Sequence, residues 1–114
     1  MSIQRGLLLF QQSRYEMAET ELRHALGEEP DDAYAHALLA LCLVERKQLD
    51  GAAEGARQAI HLAPDHPFAH YALAKVWYER DRYDDAQRAI EEAIRLDPEN
   101  PDFRFLLSGI HFDQ

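Results

Sequence analysis

The sequence has few cysteines, few basic residues and no long apolar run. Its single cysteine, Cys42, excludes an internal disulfide and lies in the apolar stretch AHALLALCLV, which favours a buried free thiol. Lysine and arginine number 12 against 21 aspartates and glutamates, and the formal charge of -9 disfavours nucleic acid and anionic lipid as partners. We therefore expect a reducing, cytoplasmic location, no binding of nucleic acid, and a preference for basic partners.

No segment reaches the roughly eighteen apolar residues of a membrane-spanning helix. The apolar residues from Leu7 to Phe10 are also too few for the core of a signal peptide. With 114 residues, 46% of them hydrophobic, the chain suits one domain with one core. We expect no insertion into a membrane.

Motifs of catalysis are missing as well. The sequence contains no nucleophile elbow and no glycine loop of the kind that binds phosphate. Its paired carboxylates, Asp84-Asp85 and Glu91-Glu92, fit the solvated face of a helix, where acidic residues also stabilise the first turn. We expect no catalytic residue and no cofactor.

Two Ala-His pairs, Ala35-His36 and Ala69-His70, suggest a metal site, and the suggestion is strengthened because His66 lies four residues before His70. His66 directly precedes Pro67, however, and no cysteine or third histidine falls at the spacing usual for zinc ligands. We therefore predict no metal site and structural roles for His36 and His70.

What the sequence does contain is an internal repeat. Pro30, Pro64 and Pro98 stand 34 residues apart, in the near-copies HALGEEPDD, QAIHLAPDH and EAIRLDPEN. After Asp32, apolar residues recur at helical spacing until a polar stretch at 45–48, and a second helical pattern follows until Pro64. A fixed period of this length predicts stacked helical hairpins.

The recurring residues resemble the tetratricopeptide repeat, a helix-turn-helix unit with a Leu-small pair in its first helix and spaced alanines in its second. The Leu-small pair appears as Leu39-Ala40, Leu73-Ala74 and Leu107-Ser108, while Gly6 alone remains in the first copy. The second-helix alanines are Ala18, Ala25, Ala52, Ala59, Ala86 and Ala93. The motif's first aromatic is replaced by His36 and His70, and only Trp77 keeps a large ring at its second aromatic position.

The resemblance covers essentially the whole chain and implies an all-α fold, a right-handed α-solenoid of antiparallel helix pairs with about seven helices. It divides the single domain 1–114 into repeats at 1–32, 33–66 and 67–100 and a terminal helix at 101–113. Larger side chains at Ala52 or Ala59 should force the paired helices apart.

The resemblance also implies a concave groove lined by one stripe of each first helix, which receives a peptide or an amphipathic helix of another protein. The stripe is apolar and aromatic, and we take it as the candidate binding site. It consists of Ile3, Leu7, Phe10, Tyr34, Leu38, Leu41, Val44, Phe68, Tyr71, Lys75, Tyr78, Phe105 and Phe112. Co-chaperone members clamp the carboxylate end of a chaperone tail with Lys, Arg and Asn, whereas this stripe offers only Lys75, so the clamp is not carried over.

Several alternatives stay open. The stripe residues could pack against one another and remain half-exposed. The apolar last segment, PDFRFLLSGIHFDQ, has no second helix after it and could pair with another copy, fold back toward the groove, or belong to a longer protein. The chain could then be a homo-oligomerisation module, or the regulatory arm of an enzyme whose catalytic part lies elsewhere.

Overall fold

The computed structural model describes residues 2–113, without the side chain of Ser2, and within that range it holds seven helices and no strand. The helices are α1 (Ser2–Gln11), α2 (Tyr15–Glu28), α3 (Ala33–Glu45), α4 (Leu49–Leu62), α5 (Pro67–Glu79), α6 (Tyr83–Leu96) and α7 (Pro101–Asp113). The predicted all-α fold is confirmed. Met1 and Gln114, the ends of the predicted domain, lie outside the described residues.

Three of the odd-numbered helices begin where the sequence predicts a start. The Asp32 side chain accepts a hydrogen bond from the Ala35 N–H at 3.1 Å and so caps α3. Helices α5 and α7 each open on a proline, Pro67 and Pro101, whose missing N–H would have no helical partner at that position.

The turns inside the three hairpins share one conformation. Ser13, Lys47 and Asp81 occupy equivalent positions and have φ of 62°, 64° and 60°. In the second turn the N–H of Gln48 donates to the Leu43 carbonyl at 2.8 Å, which closes the end of α3 around the left-handed residue. The polar stretch at 45–48 therefore ends one helix and reverses the chain.

The helices form two layers. The inner helices α1, α3, α5 and α7 lie side by side, whereas within residues 2–113 the outer helices α2, α4 and α6 pack on inner helices and not on one another. The inner layer is therefore crowded and the outer layer is spread, so we expect the array to curve toward its inner helices. We call the surface of the inner helices on that side the inner groove.

Small residues allow the two layers to approach closely. All six second-helix alanines predicted at the crossings are buried, Ala52 and Ala59 completely. A Cβ added to Gly6 would lie 2.7 Å from the Cγ and Cδ2 atoms of the fully buried Leu22. The glycine in the first copy is therefore required by the leucine that faces it.

Candidate functional site

The residues of the predicted stripe lie on all four inner helices. Their accessibility differs from one end to the other. We call α1 and α3 the closed half of the groove, because their stripe residues are buried or half-buried. We call α5 and α7 the open half, because their stripe residues are half-buried or exposed.

In the closed half, the centre of the stripe belongs to the core. Leu38, Leu41 and Val44 are 0, 2 and 1% exposed. Leu41 belongs to a buried cluster against which Phe10 and Tyr71 also pack, so side chains of both neighbouring inner helices cover it. The prediction that these three leucine and valine side chains line an open surface is corrected, because α1 and α5 close over α3.

The α1 part of the stripe is half-buried. Ile3, Leu7 and Phe10 pack against the cluster that contains Leu38 and other core residues. The Phe10 ring also meets the edge of the Tyr15 ring, with centroids 5.5 Å apart. These side chains hold α1 on the array and leave only part of their surface for a partner.

A series of aromatic rings crosses the groove from α3 to α7. Tyr34 contacts Phe68 at 5.4 Å between ring centroids, Phe68 contacts Tyr71 at 5.5 Å, and Tyr71 contacts Phe103 at 5.0 Å. Phe103 is 1% exposed and anchors the series in the core, while the other three rings are half-buried. The predicted stripe residues Tyr34, Phe68 and Tyr71 therefore both stabilise the fold and present ring surface.

The remaining stripe residues lie along α5 and α7. Lys75 and Tyr78 are half-buried, and Phe105 and Phe112 are 82 and 88% exposed. A Cβ added to Gly109, which lies between the two phenylalanines on the same helix face, would be 3.6 Å from the Tyr78 hydroxyl. Phe105 and Phe112 thus flank the end of Tyr78.

Two tyrosines of the groove hold their protons strongly, for different reasons. Burial raises the pKa of Tyr71 to about 12. For Tyr78, the hydrogen bond that its hydroxyl donates to the Asp113 carboxylate is the main cause of a pKa of about 12. At neutral pH both hydroxyls are therefore uncharged.

The thiol of Cys42 lies outside the groove, in the core of α3. It is fully buried, and this burial raises its pKa to about 12. Since the thiolate is the reactive form, a thiol held in this state is a poor nucleophile.

The structural roles predicted for His36 and His70 are confirmed. Nε2 of His36 donates to the Pro30 carbonyl at 2.8 Å, and Nε2 of His70 donates to the Pro64 carbonyl at 2.7 Å. Arg104 makes the equivalent bond to the Pro98 carbonyl. No group of three or more metal-ligating side chains is assembled among residues 2–113.

A pocket at the edge of the groove escaped the sequence analysis. It is an open cavity of about 330 Å³ between the starts of α3, α5 and α7. Tyr34, Phe68 and Phe103 line it together with Asp97 and Asn100. The signal was present in the repeat itself, because Phe103 stands where the two preceding copies have alanine, at Ala35 and Ala69.

Among the described residues, no helix has the length and apolar character needed to span a membrane.

Comparison with known proteins identifies the architecture. Family models described as tetratricopeptide repeat match residues 3–67 and 67–100. A search of curated proteins found no significant match.

Solved structures share the fold over almost the whole chain. The first TPR domain of Spaghetti (RPAP3), bound to the HSP90 peptide SRMEEVD, matches with a TM-score of 0.83 and 17% identity, covering 98% of this chain and 89% of that one. The Sgt2 TPR domain from Aspergillus fumigatus gives a TM-score of 0.86 and 19% identity over 98% of this chain and 76% of its own. The second TPR domain of human RPAP3, in complex with the HSP70 peptide SGPTIEEVD, gives 0.80 and 21% over 96% and 92%. The chain belongs to the tetratricopeptide repeat family.

Proposed function

We propose that the chain is a non-catalytic scaffold that binds a peptide or an amphipathic helix of a partner protein along the open half of the inner groove. The observation that carries this proposal is the exposure of Phe105 and Phe112, at 82 and 88%. They stand seven residues apart, two helical turns along one face, beside the half-buried ring of Tyr78. Exposed apolar side chains grouped on a concave surface are typical of a binding site.

The buried part of the stripe supports the site indirectly. Leu38, Leu41 and Val44 form the floor that holds α3 between its neighbours. A partner would therefore contact the rings above this floor, and chiefly those on α5 and α7. Partner contacts are proposed for the half-buried Leu7, Phe10, Tyr34, Phe68, Tyr71, Lys75 and Tyr78, and for the exposed Phe105 and Phe112.

We further propose that the partner segment is basic. The peptides named for the two RPAP3 domains, SRMEEVD and SGPTIEEVD, are acidic. Here the stripe has one basic residue, Lys75, and the chain carries a formal charge of -9. Opposite charge speeds encounter and like charge opposes it, so this groove suits a different class of peptide.

Peptide selection against the purified domain tests the proposal. We expect apolar peptides with lysine or arginine to be recovered, and the acidic peptide SRMEEVD not to bind. For a selected peptide, Tyr78→Ala and Phe112→Ala should each weaken the affinity about tenfold, because central aromatic side chains dominate such interfaces. Isothermal titration calorimetry gives the affinities, and circular dichroism confirms that each variant stays folded.

Met17→Ala is the matched control. Met17 is a large apolar side chain that is 53% exposed on the outer helix α2, away from the groove. It should bind the selected peptide as the unaltered protein does. Equal losses for Met17→Ala and Phe112→Ala, or tight binding of SRMEEVD, would contradict the proposed site or the proposed charge.

A second candidate function is self-association, since Phe105 and Phe112 also offer an apolar face to another copy of α7. Sedimentation analysis separates the two functions. A dimer that is lost in Phe105→Asp would favour self-association, whereas a monomer over the whole concentration range leaves the face free for a partner.

We propose a cytoplasmic location, which the single buried thiol of Cys42 supports.

A further inference from the structure

We propose that the pocket between the starts of α3, α5 and α7 binds the cationic end of a lysine or arginine side chain from the partner segment. This inference rests on the proposed function, because it assigns a specific contact to the basic partner. Two residues of the predicted stripe, Tyr34 and Phe68, line this pocket, but the pocket itself was not predicted. Phe105 and Phe112 do not line it.

The pocket walls are mostly aromatic. Tyr34, Phe68 and Phe103 line it, and the His66 ring stacks on Tyr34 with centroids 5.6 Å apart and planes 19° apart. Aromatic faces attract cations through their quadrupole, and the attraction grows when the cation is partly removed from water. A volume of about 330 Å³ lies at the lower end of ligand pockets and suits a single side chain.

The charge of the pocket points to the same ligand. Among the described lining residues, Asp97 has the only carboxylate and none is a lysine or arginine. No hydrogen bond or ion pair from the rest of residues 2–113 reaches the half-buried side chain of Asp97. Asp97 also caps the carboxyl end of α6, where the helix dipole adds negative potential. A cation beside Asp97 would therefore stabilise this carboxylate electrostatically.

The other polar groups do not favour an anion. The amino ends of α3, α5 and α7 border the pocket, but each is already capped, α3 by the side chain of Asp32. Nδ1 of His66 accepts from the Phe68 N–H at 3.2 Å, and Oδ1 of Asn100 accepts from the Asp102 N–H at 2.9 Å. Nδ1 of His66 is thus occupied as an acceptor and offers no N–H to an anion.

The feature is specific to one repeat junction. The residue that corresponds to Asp97 one period earlier is Ala63, and the residue that corresponds to Phe103 is Ala69. The earlier junction therefore lacks both the ring and this carboxylate. A basic side chain would be recognised at one place along the array, which would fix the register of a bound segment.

Titration with small blocked amino acids tests the pocket without the partner. We would add N-acetyl-arginine methylamide to the ¹⁵N-labelled protein and follow amide shifts by NMR, with the citrulline and leucine analogues as neutral and apolar comparisons. We expect saturable shifts at the amides of Phe68, Asp97 and Phe103 with the arginine probe. Asp97→Asn should weaken its binding about two- to fivefold, since the substitution removes a partly exposed ion pair and leaves the cation–π contacts with the rings.

Asp31→Asn is the matched control, because Asp31 is an exposed aspartate in the equivalent proline turn and does not line the pocket. It removes the same charge and should leave arginine binding unchanged. Equal affinity for the citrulline probe, tighter binding of the leucine probe, or the absence of shifts at these amides would overturn the proposal.

The two proposals can fail separately. If the selected peptide binds the groove but Asp97→Asn leaves both probe and peptide affinity unchanged, the pocket assignment is wrong and the scaffold function stands. If the arginine probe binds the pocket but no peptide binding depends on Tyr78 or Phe112, the groove proposal is wrong and the pocket stands.

Discussion

The two halves of the inner groove use the same repeat positions for opposite purposes. Leu41 on α3 and Lys75 on α5 are equivalent residues, and so are Val44 and Tyr78. The α3 residues are buried, whereas the α5 residues are half-buried and reach the groove surface. Helices α3 and α5 contact one another along more of their length than α5 and α7 do. A repeat position therefore becomes core or accessible surface according to how closely the next inner helix approaches.

Truncation of the equivalent residues Leu41 and Lys75 tests the difference between the two halves most directly. Leu41→Ala should lower the free energy of unfolding by about 2–5 kcal/mol, because it leaves a cavity in the core. Lys75→Ala should change it by less than about 0.5 kcal/mol, as is usual for surface positions. Urea denaturation followed by circular dichroism measures both. Similar losses for the two variants would mean that the groove has no closed half.

The tight packing of the closed half is tested at its first helix pair. Gly6→Ala should destabilise the protein by about 1–3 kcal/mol, because the new methyl group would meet Leu22 at 2.7 Å. Gly27→Ala is the control, since a Cβ there meets nothing within 4 Å and should stabilise α2 by up to about 1 kcal/mol. Thermal melting ranks the stability of the two variants. If Gly6→Ala left the stability unchanged, α1 would be packed loosely on α2.

In the open half, the carboxylate of Asp113 acts on Tyr78 and not on Tyr71. Tyr71 and Tyr78 both have a pKa of about 12, through burial and through Asp113 respectively. Asp113→Asn should therefore lower the pKa of Tyr78 and leave that of Tyr71 unchanged. Absorbance titration of the phenolate band, with Tyr71→Phe and Tyr78→Phe to assign the components, measures both values. A parallel shift of both would mean that one shared cause acts on them.

The same pKa shifts fix the direction of a pH effect on stability. Both folded-state values lie above the ordinary tyrosine pKa of about 10. The stabilisation that these protons contribute is therefore fully present below about pH 10 and is lost as the pH rises through 12. Urea midpoints measured on both sides of that window should fall with rising pH, and less steeply in Tyr71→Phe.

Much of the fold could be predicted from the sequence, because the residues that determine it act over short distances along the chain. The prolines mark the ends of the outer helices, and Pro67 and Pro101 mark the starts of two inner ones. Small residues such as Ala52 and Gly6 mark the crossings, since only short side chains allow close approach. Each of these signals acts within a few residues or within one helix pair.

The site was less readable because exposure is set by neighbours. The repeat register shows the direction in which Leu41 and Phe105 point, but it does not show that Phe10 and Tyr71 pack over the Leu41 cluster or that Phe105 stays exposed. The pocket around Asp97 was missed for another reason. The residues that distinguish it, Asp97 and Phe103, depart from the repeat pattern, and a repeat is recognised by the residues that match.

The bonds from the inner helices to the proline turns do not depend on one kind of side chain. His36 and His70 donate through Nε2 to the carbonyl of the proline six residues earlier, and Arg104 donates through Nε to the equivalent carbonyl. An imidazole and a guanidinium thus fill the same position, because each can bring an N–H to that oxygen. Repeats that differ in sequence are therefore joined to the preceding turn in the same way.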